Sequence, residues 1–159
     1  MEIERKYLVT NDSYRQMAIA RYHIRQGYIS REKTGTVRIR ICLEEDVLTG
    51  EIINSQAYIT IKGRPAIGHF ARYEWEQSID SNDAEELMLL CQGTIIDKTR
   101  WIVPAVESGL KWEIDEFHDK HEGLQLAEIE LEFEEQVVEL PSFIGKEVTD
   151  DPQYYNANM

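Results

Sequence analysis

The strongest constraint on the fold is an alternation of charged and apolar residues that recurs in seven short segments. Within each segment charged or polar residues stand two apart, as in Arg38 and Arg40. Because successive residues of a β-strand point to opposite faces, each such set lines one face of a strand. The set is Glu2, Glu4 and Lys6; Arg38 and Arg40; Thr60 and Lys62; Glu74 and Glu76; Lys98 and Arg100; Glu113 and Asp115; and Glu128, Glu130 and Glu132.

The residues between these charges are mostly large and apolar, so the second face of the strands must be covered. An ordinary sandwich or small barrel hides its apolar face inside and turns its charges to solvent. Charges of both signs on nearly every strand suggest the inverse, a closed barrel with a charged, water-filled interior. Alternation alone does not separate the two arrangements. The apolar residues are Ile39, Ile59, Ile61, Trp75, Trp101, Trp112, Ile114, Ile129 and Leu131.

Length and composition predict one globular domain spanning residues 1–159, with 42% hydrophobic and 30% charged residues. No apolar run approaches the roughly 20 residues of a membrane span. The charged start of the chain is unlike a signal peptide, so we expect a cytoplasmic protein with no membrane partner. A net charge of −13 argues against a nucleic-acid surface. It still allows a local anion site built from the cations of the seven segments.

Periodicity and turn residues predict eight strands and three short helices. The helices begin at Asn11 or Asp12, at Ser81 or Asn82, and near Thr149, and the second carries an apolar stripe that continues to Gly93. Residues 44–55 are predicted to form a long loop. The strands are predicted near residues 1–9, 21–31, 36–44, 56–62, 69–79, 94–103, 110–117 and 124–134.

The two kinds of charge suit two partners. Carboxylates two apart on a strand place oxygen atoms about 6–7 Å apart on one face, and hard divalent cations prefer oxygen ligands. Guanidinium forks and lysine ammonium groups bind phosphate oxygens. Any single pair is usually a solvated strand face with cross-strand ion pairs, but seven concordant segments favour one shared cavity for a metal-bound polyphosphate.

The chain resembles the CYTH family, the triphosphate tunnel metalloenzymes. Glu2-Ile3-Glu4-Arg5-Lys6 is similar to the family's Glu-x-Glu-x-Lys signature, and the similarity runs from end to end. It continues, in the family's order, through Arg25-Gln26-Gly27-Tyr28, Val37-Arg38-Ile39-Arg40, Thr60-Ile61-Lys62, Tyr73-Glu74-Trp75-Glu76, Asp97-Lys98-Thr99-Arg100, Trp112-Glu113-Ile114-Asp115, Ala127-Glu128-Ile129-Glu130 and Gly145-Lys146-Glu147-Val148-Thr149-Asp150.

The resemblance implies a mainly β protein of the α+β class: an eight-stranded antiparallel closed β-barrel, or tunnel, with a charged lumen and short flanking helices. It also implies a triphosphate substrate, Mg²⁺ or Mn²⁺ as the cofactor, and a homodimer as one assembly. Glu74 and Glu76 would be supporting lumen acids. The implied metal ligands are Glu2, Glu4, Asp115, Glu128 and Glu130, and the implied substrate-binding residues are Lys6, Arg38, Arg40, Lys62, Lys98 and Arg100.

The reaction expected from this resemblance is metal-assisted attack of water on a terminal phosphorus of a linear triphosphate, most simply inorganic tripolyphosphate. Glu128 and Glu130 would lie beside the attacking water, and Lys98 would act as a base only if its pKa were depressed. The alternatives are a class IV-like adenylate cyclase and a polyphosphate- or nucleotide-binding module without turnover. The final segment lacks basic residues, so any substrate contact from it must be a phenol or an amide.

Overall fold

The structure, a computed structural model, describes residues 2–64 and 72–159. Within these residues nine strands form one antiparallel sheet, accompanied by two short α-helices and three 3₁₀ turns. The strands are β1 Glu4–Val9, β2 Ala20–Glu32, β3 Gly35–Glu45, β4 Ile52–Gly63, β5 Glu74–Ile79, β6 Gln92–Pro104, β7 Lys111–Phe117, β8 Gln125–Glu130 and β9 Ile144–Glu147. The helices are α1 Tyr14–Met17 and α2 Ser81–Met88, and the 3₁₀ turns are Asp119–His121, Pro152–Tyr154 and Asn156–Asn158.

The prediction of a closed eight-stranded barrel is wrong. The strand order is β5-β4-β3-β2-β6-β7-β8-β1-β9, so β5 and β9 are the edges of an open sheet. Closure would require β1 to pair with β5, but the free side of β1 is taken by β9 at Tyr7 and Val9. The two ends of the sheet still approach each other, because the Lys62 Nζ of β4 lies 2.9 Å from Glu2 Oε1, just before β1.

The apolar face lies outside and is covered by the flanking segments. One cluster packs Trp101, Trp112 and Ile114 of the sheet against Tyr14 of α1 and Phe143. A second packs Ile39, Ile41 and Ala57 against Ala84 and Met88 of α2. Over most of the open sheet, the apolar face is therefore the one that the flanking segments cover. Coverage is weaker near the β5 edge, where the cross-strand pair of Ile61 and Trp75 has 39% and 42% of its residue surfaces exposed.

One end of the charged face gives way to an apolar cluster. Three apolar residues continue the inward face two positions beyond a charged residue: Leu8, Phe117 and Leu126. They pack together with Ile96 and Val148. Tyr154 and Met159 of the C-terminal segment cover this cluster. The charged interior is therefore blocked by hydrophobic packing on the side of β1, β6, β7 and β8.

Several element boundaries differ from those predicted. Strand β9 was not predicted, because it has only four residues and contains a glycine. The predicted terminal helix is two 3₁₀ turns, and α2 ends at Met88 rather than continuing toward Gly93. Strands β3 and β4 extend into residues predicted as loop, leaving only 46–51 between them. The predicted connection from Gly63 into the strand at 69 falls partly outside the described residues.

Among the described residues, no helix has the length and apolar character needed to cross a membrane. Cys42 and Cys91 are free thiols.

Candidate active site

The inward charges surround one cavity of about 580 Å³. Its wall takes side chains from all of the strands β1 to β8, together with Tyr155 and Asn156 of the C-terminal segment. All of the predicted site residues line this cavity except Lys98 and Asp115. The alternation of charges in the sequence therefore locates a shared cavity, even though the sheet around it is open.

Lys98 and Asp115 form a buried ion pair behind the cavity wall. The Lys98 Nζ lies 2.8 Å from Asp115 Oδ2, and the two residues are 0% and 2% exposed. Arg100 donates to the same carboxylate through Nε at 2.7 Å and Nη2 at 2.9 Å. Burial would raise the pKa of Asp115, but the Arg100 and Lys98 cations hold it well below its usual value. Its oxygens are thus occupied by cations of the protein.

The Lys98 ammonium is held away from its ordinary titration range. Burial lowers the pKa of Lys98 to about 7; the Asp115 carboxylate opposes this shift, and Arg100 and Arg40 add to it. The pKa of Lys98 is thus lowered, as a role as a base would require, chiefly by desolvation rather than by neighbouring cations. Its role as a base stays a prediction, because the fully buried amine does not line the cavity in which a water would attack.

Carboxylates crowd together at the β1–β8 side of the cavity. The neighbouring Glu128 carboxylate, burial and Glu2 raise the pKa of Glu4 to about 8. Burial would also raise the pKa of Glu128, but Lys6 at 3.1 Å and Arg100 lower it to about 2. Acids held this close repel one another unless a proton or a cation lies between them.

The other acids are more open. Glu2 pairs with Lys62, while Glu74 and Glu76 face the cavity from the edge strand β5. Glu130 lines the cavity from an exposed position. Within residues 2–64 and 72–159, no group of three His, Cys, Asp or Glu side chains converges closely enough to enclose a metal ion.

Arg38 and Arg40 form the basic side of the cavity. Arg38 donates to Thr60 Oγ1 at 3.2 Å and lies 3.8 Å from Glu76, while its buried Nε has no hydrogen-bond partner among the described residues. Arg40 donates through Nε to the neutral Oε1 of Gln26 at 2.8 Å. Burial and the Arg38 and Arg100 cations lower the pKa of Arg40 to about 10.

The comparisons with known proteins agree with this geometry. The model of the CYTH domain matches residues 1–156. The chain belongs to the CYTH family. The predicted family resemblance is therefore confirmed.

Named relatives and a solved structure support the same assignment. An inorganic triphosphatase of Acetivibrio thermocellus is 38% identical over 159 residues, which covers 99% of this chain and 92% of the relative. An inorganic triphosphatase of Nitrosomonas europaea is 30% identical over 157 residues, covering 98% and 93%. A crystal structure of an inorganic triphosphatase superposes with a TM-score of 0.63 at 27% identity, covering 99% of this chain and 93% of the other.

The structure of this CYTH protein also places residues in the site that the sequence analysis did not select. Arg31 and Arg72 line the cavity, and Gln26 connects Arg40 to Asn156. Arg31 and Arg72 lie outside the two-residue alternation, so the pattern that located the site could not select them. Gln26 is uncharged, and only its alternation with the inward residues of β2 marks its face. Asn156 reaches the site from the end of the chain, where the sequence shows no periodicity.

Proposed function

We propose that this CYTH protein hydrolyses inorganic triphosphate with the help of a divalent cation, Mg²⁺ or Mn²⁺. The observation that carries the proposal is that few carboxylates of the protein neutralise Arg38 and Arg40. Among the described residues Arg40 has no carboxylate within 4.0 Å, and Arg38 reaches Glu76 only at 3.8 Å. Their neighbours in the cavity, Lys6 and Lys62, are each matched to a glutamate.

Two under-neutralised guanidinium groups in one partly buried cavity favour an anion with several oxygens. Arg40 uses Nε to hold Gln26, which leaves both of its Nη atoms for a bidentate bond to phosphate. The unpartnered Nε of Arg38 is a further donor. Buried donors that lack a partner cost free energy until a ligand accepts from them. The names of the relatives at 38% and 30% identity support triphosphate as that ligand.

The acids of the cavity suit a divalent cation. Mg²⁺ typically binds one or two carboxylates and completes its shell with water and substrate phosphate oxygens, so a cage of three protein groups is not required. Mutual repulsion at Glu4 and Glu128 marks a place where a positive charge would stabilise the wall. We propose Glu2, Glu4, Glu128 and Glu130 as the residues that hold the ion. Asp115 is better described as a positioning residue, because its oxygens bond Lys98 and Arg100.

In this mechanism the protein chiefly binds, orients and neutralises. Arg38 and Arg40 bind phosphate oxygens, and Lys6 and Lys62 stand beside the acids that they neutralise. The Asp115 carboxylate fixes Arg100, whose Nη1 also lies 2.8 Å from Glu113. A divalent ion bound by the acids would supply neutralisation of phosphate charge and a more acidic bound water. Positioning and electrostatic stabilisation are the main sources of rate in phosphoryl transfer.

The deciding experiment incubates the purified protein with tripolyphosphate, ATP or thiamine triphosphate, each with Mg²⁺, with Mn²⁺ or with EDTA. We expect phosphate and pyrophosphate from tripolyphosphate, in the presence of metal only. Cyclic AMP with pyrophosphate from ATP would replace the proposal with the cyclase. Metal-dependent binding of tripolyphosphate without turnover would replace it with a binding module.

Paired variants test the two sides of the cavity. Glu4→Gln should abolish turnover while leaving the fold intact, whereas Glu132→Gln, an exposed acid beyond the end of β8, should not. Arg40→Gln should lower kcat/KM by about 100-fold or more. Arg5→Gln is the control and should leave kcat/KM unchanged, since Arg5 donates to the backbone carbonyl of Glu134. Full activity of Glu4→Gln would remove Glu4 from the metal site.

A further inference from the structure

The C-terminal segment, residues 148–159, contacts the buried cations of the site through neutral oxygen atoms. The Lys6 Nζ donates to the backbone carbonyl of Tyr154 at 2.8 Å. The Lys98 Nζ donates to the side-chain carbonyl Oδ1 of Asn156 at 3.0 Å. Neither of these oxygens carries a formal charge, so both lysines are oriented without being neutralised by the segment.

The same Asn156 oxygen reaches the arginine side of the cavity through Gln26. The Gln26 Nε2 donates to Asn156 Oδ1 at 3.3 Å, and its Oε1 accepts from Arg40 Nε at 2.8 Å. Gln26 is 0% exposed, so its amide has no bulk water to replace either partner. One carbonyl oxygen therefore holds Lys98 directly and fixes the amide that orients Arg40.

The acids of this segment are kept out of the network. The Asp151 carboxylate accepts from the backbone and side-chain nitrogens of Gln153, at 3.2 Å and 3.0 Å, and so stabilises the turn at Pro152. The side chain that enters the network is an amide, Asn156. A carboxylate there would form an ion pair with Lys98 and add a negative charge beside the phosphate-binding arginines.

We propose that Asn156 is a positioning residue of the triphosphate site. Its neutral carbonyl orients Lys98, which stays paired with Asp115. Through Gln26 it also orients Arg40, and it leaves the positive charge of Arg40 available to the substrate. This inference rests on the proposed function. It extends the site to the end of the chain, and it predicts that a negative charge at position 156 lowers the affinity for triphosphate even when the shape and the accepting oxygen are kept.

The test is Asn156→Asp, which keeps the shape and the accepting oxygen but adds a charge. We expect the KM for tripolyphosphate, and the Kd of a non-hydrolysable imido analogue with Mg²⁺, to rise on the order of 10- to 100-fold. The temperature of unfolding should stay the same or increase, because the new carboxylate pairs with Lys98. Asn82→Asp is the matched control: it makes the same isosteric change at an exposed position of α2, on the outer face of the sheet, and should leave KM unchanged.

A double-mutant cycle tests the connection to Arg40. Asn156→Ala and Gln26→Ala should each weaken binding of the imido analogue, and the double variant should lose less than the sum of the two effects. If the two losses in binding free energy were strictly additive, the proposed connection from Asn156 to Arg40 through Gln26 would be wrong. An unchanged KM and Kd for Asn156→Asp would overturn the positioning role. The proposed function fails separately, if the unaltered protein turns over no tripolyphosphate.

Discussion

Asp115 bonds two cations at the cavity wall, Lys98 and Arg100. It is 2% exposed, and its two oxygens receive one bond from Lys98 and two from Arg100. Removing one member of a buried ionic group leaves the remaining charges without solvent or partner, which is costlier than losing a surface pair.

Asp115→Asn should therefore lower the free energy of unfolding at pH 7 by about 3–5 kcal/mol, measured by urea denaturation. The pKa of Asp115 in the folded state lies below its ordinary value of 3.8. Its contribution is thus present above that value and is lost as the pH falls toward the folded pKa. The difference in the free energy of unfolding between Asp115→Asn and the unaltered protein should therefore be smaller at pH 3 than at pH 7. Glu76→Gln is the control, since its side chain is 42% exposed and a loss of more than about 1 kcal/mol is not expected there.

Single residues also show how far the sequence predicts the site. The two-residue alternation selects side chains by the face on which they lie, and it located eleven of the thirteen predicted residues in one cavity. The alternation does not show how deeply a side chain is buried. It therefore predicts ligand contacts for Lys98 and Asp115, which instead pair with each other behind the cavity wall. It also gives no weight to neutral residues, which is why Gln26 and Asn156 were not selected.

Helix α2 shows how an element constrains a single backbone position. It packs over β3 and β4 through Ala84 and Met88. Cys91, which follows the helix, lies very close to Gly27 of β2. A Cβ atom added at Gly27 would lie 2.8 Å from the Cys91 sulfur and 2.7 Å from Ile95 Cδ1. A glycine at this point lets the end of the helix segment lie directly on the sheet.

Gly27→Ala should therefore lower the free energy of unfolding by about 1–3 kcal/mol, because the added methyl group overpacks a filled contact. Gly63→Ala is the matched control, since a Cβ atom there meets its nearest neighbours at an ordinary 3.8 Å. Chemical denaturation of the two variants measures the difference. An equal loss in both would show that the helix segment can move to accommodate the methyl group.

At the level of elements, the sequence predicts strands more reliably than their connections. Eight predicted strands correspond to β1 through β8, because each carries several alternating residues. Strand β9 is stabilised by tertiary contact instead: its Ile144 and Glu147 pair with Val9 and Tyr7 of β1, far away in sequence. No local pattern encodes that long-range pairing, which occupies part of the side of β1 that faces away from β8.

The whole molecule brings distant strands of an open sheet around one ligand site. Strands β4 and β1 stand second and eighth in the sheet order, with five strands between them. Across the gap at the edges, the described contact is between side chains, Lys62 and Glu2. A ligand held by Lys6, Lys62 and the acids beside them would add a second connection between these ends.

We therefore expect the imido analogue with Mg²⁺ to slow backbone amide exchange in the edge strand β5 and in β4, measured by hydrogen–deuterium exchange. Among the described strands, β5 is hydrogen-bonded to β4 alone, and it carries the exposed Trp75. Its opening therefore needs less free energy than that of the central strands β2 and β6. Binding to the folded state stabilises it by mass action, and the effect is largest where the ligand joins segments that otherwise open independently. Exchange in α2, on the outer face, should change least and is the internal control. Protection confined to β3 would mean that the ligand binds the arginines alone and does not connect the two ends of the sheet.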